Sequence, residues 1–205
     1  MKHRSLFFVA AALAFAPSVL ASGHDARVRA WIVDPRGDVD GIVLSDQATI
    51  RFDRMTGESV TRHVHLGDRV QITPDGQALV LPRANWSVDL GMAGLSIGGG
   101  PSRLPPMSRA DRAADGMTVS GGLGAGIQHF TVRGVVRAVT FTRGHVADGF
   151  VLDGGITVRV PTTRADAIAS LRPGTHVDVE GDGTRGRYGI GLRATRVAGP
   201  GVDLR

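Results

Sequence analysis

His63-Val64-His65 is the spacing in this chain that comes nearest to a metal site. On a strand, alternate side chains share a face, so both imidazoles could ligate zinc or copper. On a helix the two rings diverge. The segment falls where a short helix or loop is expected, so two solvated histidines are the reading here and no metal is assigned. A second set of residues lies on alternating Val/Ile/Thr stretches. In 48–52 and 156–160, Ala48, Ile50, Phe52, Ile156, Val158 and Val160 face a core, which turns Thr49, Arg51, Thr157 and Arg159 outward. Parity on an earlier strand groups Arg29 with Trp31, and Arg133 with Arg137. Trp31 flanked by Arg29 and Arg51 is a stacking and charge platform of the kind that single-strand binders use. These eight residues are the candidate ligand-binding set.

Other chemistry is excluded by what the sequence lacks. There is no metalloprotease helix motif and no phosphate loop with its lysine. Cysteine is absent, and Lys2 is the one lysine. Thiol catalysis and Schiff-base chemistry on the body of the chain are therefore closed. The expectation is a non-enzymatic protein without a cofactor. Aromatic residues make up 5% of the chain, few for a nucleic-acid binder that stacks several bases.

The elements that must position these residues come from a stretch used twice. Asp40-Gly41-Ile42-Val43-Leu44, four residues, then Thr49-Ile50-Arg51-Phe52 is echoed by Asp148-Gly149-Phe150-Val151-Leu152, four residues, then Thr157-Val158-Arg159-Val160. Asp, Gly, Val, Leu, Thr and Arg are identical at matching places. Upstream, Val28–Val33 is matched with Val132–Arg137, which implies four extra residues before the central stretch in the second copy. Downstream, Gly67–Ile72 is matched with Gly174–Val179. Thr163–Leu171 reads as a short helix with Thr163 as N-cap and Asp166 three residues on. Gly57–Leu66, richer in Thr and Val, is the poorer helix. Three strands, a short helix and two strands in about seventy residues is the order of an OB-fold barrel. The fold class is thus all-β: two tandem small OB-type barrels, each with one short helix.

The flanks complete the layout. Residues 1–21 read as a signal peptide, with Lys2, His3 and Arg4 before an apolar run and Val19-Leu20-Ala21 at the cleavage site. The mature chain then carries 22 arginines against 19 acids, or +3, and holds no other apolar run of spanning length. Barrel one is assigned to 22–90, a flexible Gly/Pro-rich linker to 91–128, barrel two to 129–198 and a tail to 199–205. A linker of that composition leaves the barrels free to move independently. The protein is placed in the periplasm or outside the cell. Its partner is an unidentified protein or small ligand, with nucleic acid or another polyanion as the alternative.

Pro35-Arg36-Gly37-Asp38-Val39-Asp40-Gly41-Ile42-Val43-Leu44, followed by Gly67-Asp68-Arg69-Val70, resembles the pattern of bacterial exported OB-fold proteins of unknown function. Asp153-Gly154-Gly155, Val160-Pro161 and the run Arg172 to Gly181 fit that pattern more closely. The first copy departs from it at Ser45-Asp46-Gln47, Phe52-Asp53 and Thr73. The resemblance implies an OB-fold and, by analogy of fold alone, oligonucleotide or small-ligand binding. It brings no catalytic residue.

Overall fold

The computed structural model describes residues 24–72, 78–81, 88–89, 94–96, 118–121, 126–142 and 145–205. Residues 1–21, expected to be a signal peptide, and most of 91–128 lie outside them. The second unit is a closed barrel of five strands: β9 (Gln128–Phe141), β10 (Ala147–Leu152), β11 (Ile156–Arg159), β12 (His176–Gly186) and β13 (Gly189–Gly199). The pairing order is β9-β10-β11-β13-β12 and back to β9, with β11 and β13 parallel and the other pairs antiparallel. This is the closure that an OB-type barrel requires. Val132, Phe150, Val158, Val179 and Leu192 fill the interior. β8 (Thr118–Gly121) adds to β9, and β14 (Val202–Leu204) adds to β13. Val202 and Leu204 anchor the end of the chain in the same core.

The first unit is a curled half-barrel. β1 (His24–Val33), β2 (Val39–Leu44), β3 (Thr49–Arg51), β4 (Arg69–Ile72) and β5 (Ala78–Leu81) run in the order β5-β4-β1-β2-β3. β3 pairs with β7 (Gly94–Ser96) where a closed barrel would bring in β5, and β5 pairs with β6 (Val88–Asp89). Two strands, β7 and β8, thus come from the stretch expected as coil. Val28, Trp31, Ile42, Leu44, Ile50 and Val70 form this unit's core.

Backbone hydrogen bonds correct the upstream alignment. Phe52 N–H donates to Asp40 O, and Val160 N–H to Asp148 O. Gly67 N–H donates to Val28 O, and Gly174 N–H to Val136 O. Gly37 and His145, at equivalent places, both take positive φ, as do Gln47 and Gly155. Val28-Arg29-Ala30 therefore corresponds to Val136-Arg137-Ala138, at the same offset as Asp40 to Asp148, and not to Val132-Arg133-Gly134. No insertion separates the first strands. The earlier part of β9 runs on as an extension that pairs with β12 and β8.

Helix propensity also misleads. α1 (Arg54–His63) has ten residues, while α2 (Ala165–Ala169) has five, preceded by a 3-10 turn at Thr162–Arg164. Asp53 caps α1 by accepting from Thr56 N–H at 2.8 Å. Pro161 stands at that place in the second unit, and Thr163 lies inside the 3-10 turn with no side-chain cap at either helix. The Asp53 cap, worth about 1 kcal/mol, and the burial of Val60 in the core together offset the propensity deficit of Thr, Val and Gly57.

The seam between the units is the structural feature on which the site depends. Ile32, Val43, Ala138 and Val151 form a third apolar cluster, with Ala30 packed against it. Ala30 and Ala138 are equivalent, as are Val43 and Val151, so corresponding faces of the two units meet. Val33 N–H donates to Thr157 Oγ1 at 3.0 Å across the seam. A Cβ on Gly191 of β13 would lie 1.9 Å from Asp34 O, so the backbones touch there. Two units that the composition of 91–128 suggests are independent are joined face to face.

Candidate functional site

Four of the expected ligand-binding residues lie in the seam. Strand parity holds: Thr49, Arg51, Thr157 and Arg159 belong to neither barrel interior. They are nevertheless covered. Thr49 and Thr157 have no exposed surface, and the side chains of Arg51 and Arg159 are 14% and 12% exposed. Each arginine pairs within its own unit, Arg51 with Asp40 at 2.7 Å and Arg159 with Asp148 at 2.6 Å. Arg159 Nη2 also reaches across to both oxygens of Asp40, at 2.8 and 2.7 Å. Arg51 Nη2 stands 3.8 Å from Asp148, which closes a ring of four charges. Thr140 Oγ1 adds a hydrogen bond to Asp148 at 2.8 Å. These groups hold the units together and offer no surface to a ligand.

The ring has a titration of its own. Burial pushes the Asp40 carboxyl up to about 7, with Arg51 pulling it down and the carboxylates of Asp34 and Asp148 pushing it further up. A folded chain that holds this proton more tightly than the unfolded chain is stabilised by it fully below about pH 4. That contribution is lost as pH rises to 7. The stability difference between the wild type and Asp40→Asn should therefore shrink from pH 4 to pH 7 and stay flat above, as read by thermal unfolding across that range. A difference that grows with pH would mean that the two guanidinium groups outweigh burial.

Three more expected residues meet elsewhere, in a groove of about 460 Å³ at the edge of the seam. Arg29, Trp31 and Arg137 line it, joined by Arg27, Leu66 and Tyr188. Arg29 and Trp31 do not share a face as simple alternation implies. Val28 and Trp31 both enter the core, and the register shifts between Val28 and Ala30. This bulge extrudes Arg29, and β9 shifts between Val136 and Ala138, extruding Arg137. Bulges re-aim side chains beside functional sites. Here two equivalent bulges bring an arginine from each unit to one groove. Among the described residues, no carboxylate lines it. Arg27 is committed to Gly67 O at 2.9 Å, whereas Arg29 is exposed and makes no hydrogen bond or ion pair with another described residue.

Trp31 is no stacking platform. It is 7% exposed, and Tyr188, from the tip of the β12–β13 hairpin, packs edge-on against it with ring centroids 5.7 Å apart. Arg133 lies outside the groove. It sits opposite Asp178 on β12 and is hydrogen-bonded to it at 2.6 Å, a contact that raises its pKa further. His63 ends α1 with Nδ1 3.1 Å from Ser59 O, while His65 Nδ1 stands 3.8 Å from Asp68, so the two rings turn to different partners. Among the described residues no group of three His, Asp or Glu side chains could hold a metal ion. No helix among them is long and apolar enough to cross a membrane.

Sequence reasoning missed Asp40, Asp148, Arg27 and Tyr188. The signal for the aspartates was present, because Asp and Arg are identical at matching places in both copies. A charge retained opposite a retained partner of the other sign points as readily to a ring of ion pairs as to a ligand surface. No protein-family model matches the chain, no curated protein matches it, and no solved structure matches it.

Proposed function

We propose that this chain is an exported, non-enzymatic binding module: one small barrel written twice, its copies docked through their outer faces, with an anionic ligand taken in the groove at the seam. The groove carries this reading, because among the described residues three arginines and no carboxylate line it. Its volume lies in the range of small-molecule sites. Export rests on the character of residues 1–21, and the duplication rests on the echo together with the matching backbone hydrogen bonds. Binding of an oligonucleotide through Arg51 and Arg159 has less support, because both side chains are buried against the other unit.

An anilinonaphthalene sulfonate dye is a suitable probe, being anionic and bright when shielded from water. One dye per chain should bind saturably. Arg29→Ala should weaken it about tenfold, the worth of one charge-assisted hydrogen bond, while leaving thermal unfolding unchanged. Affinity unchanged by Arg29→Ala would remove the groove as the site.

A further inference from the structure

We infer that the tip of the β12–β13 hairpin, docked on the first unit, makes a surface for a linear polyanion. The partner is a chain of closely spaced tetrahedral oxyanions, a polyphosphate or a sulfated glycan, held by its charges alone. The inference rests on the groove's taking an anion, and it carries that site outward past its lining. Several arginines outside the seam are matched by an acid, as Arg54 is by Asp38, Arg133 by Asp178 and Arg196 by Glu180. Arg29, Arg36, Arg185 and Arg187 are not. All four are exposed, and their side chains make no hydrogen bond or ion pair with another described residue.

The fold gathers these four. Tyr188, at the hairpin tip, packs against Trp31 of β1 and lines the groove beside Arg29. Arg187 stands over the Tyr188 ring, 5.6 Å from its centroid. A Cβ on Gly37 would lie 3.3 Å from Thr184 Cγ2, and one on Gly186 would lie 3.8 Å from Gly37 O. The β1–β2 turn that carries Arg36 therefore lies against the strand that carries Arg185. The acids of that turn are spent. Asp34 Oδ1 accepts from the N–H groups of Arg36 and Asp38 at 2.8 and 2.9 Å, and Asp38 pairs with Arg54. Spread over β1, a turn and a hairpin tip, the arginines present charge to successive groups of a chain. Forked, weakly hydrated guanidinium groups suit phosphoryl and sulfate oxygens. Bases find no open ring to stack on, because Trp31 is 7% exposed and Tyr188 lies between it and Arg187.

Titration of the full chain with long-chain polyphosphate and with heparin, over a range of salt, tests this. At least one should bind saturably, and the tighter of the two names the source. Three or four contacts at about 0.7 each give a slope of about −2 to −3 in log affinity against log salt. Arg36→Gln and Arg187→Gln should each weaken binding about two- to fivefold and take about 0.7 off the slope. Arg133→Gln and Arg196→Gln remove the same charge elsewhere and should change neither. A thymidine oligomer of equal charge should bind more weakly. Binding of neither polyanion, equal losses at Arg133 and Arg196, or an equally tight thymidine oligomer would each overturn the inference. If the sulfonate dye binds through Arg29 and neither polyanion binds, the hairpin surface fails while the groove stands. If nothing binds, both fail.

Discussion

Above pH 7, where Asp40 is ionised, Arg159→Ala should destabilise the protein by about 3–5 kcal/mol, the range for removing one partner of a buried ion pair. The reasoning starts from solvent. Asp40 and Asp148 keep 19% and 13% of their side-chain surface, so water replaces little of what the guanidinium supplies. Arg159 serves both carboxylates, with bonds of 2.6 to 2.8 Å. After its removal Arg51 alone faces two acids, one at 2.7 Å and the other at 3.8 Å. Lysine cannot rescue it, because one ammonium lacks the fork that spans two acceptors. Urea unfolding should report the loss. The double change with Asp40→Ala should cost less than the sum of the single changes, because the orphaned charge goes with its partner. A loss below about 1 kcal/mol, the value for exposed pairs, would show that water reaches the ring freely.

Gly191→Ala should cost about 2–4 kcal/mol although it adds only a methyl group. The new Cβ would lie 1.9 Å from Asp34 O and 2.8 Å from Val33 O, and both are backbone atoms that no rotamer change can move. Overpacking of this kind costs about 1–3 kcal/mol. Withdrawal of the end of β1 would also break the bond from Val33 N–H to Thr157 Oγ1, leaving a buried donor unpaired at a further 1–3 kcal/mol. Alanine does stiffen the unfolded chain relative to glycine, a gain of about 0.4–1 kcal/mol. That gain is too small to reverse the sign. Gly201→Ala makes a contrast, since a Cβ there meets no atom and only its positive φ opposes the change.

The fold was largely legible from residues. Period-two alternation in 48–52 and 156–160 assigned the barrel interiors correctly, because alternation reports which side of a strand is apolar. Alternation does not report what covers the other side. Arg51 and Arg159 look solvated in one dimension, yet the face that carries them is closed by the other copy. Only the aspartate that accompanies each arginine hints at this. Bulges were invisible for a related reason. An extra residue at Arg29 or Arg137 leaves composition unchanged while reversing parity beyond it, so Trp31 was placed outside a core that it fills. The upstream alignment failed because Val-Arg occurs at both 132–133 and 136–137, and the longer β9 contains both. The first helix exceeded its propensity because Asp53 caps it and the core buries Val60.

The docking of the two units decides whether the groove exists, and the amide of Val33 tests it most directly. Its hydrogen-bond acceptor, Thr157 Oγ1, belongs to the other unit. Hydrogen exchange resolved at that residue should show protection close to that of global unfolding in the wild type, with a fall of about 30- to 1,000-fold in Gly191→Ala. Exchange at Val33 as fast as in an exposed loop, while Ile32 and Ile42 remain protected, would mean that each unit keeps its own core and the seam stands open.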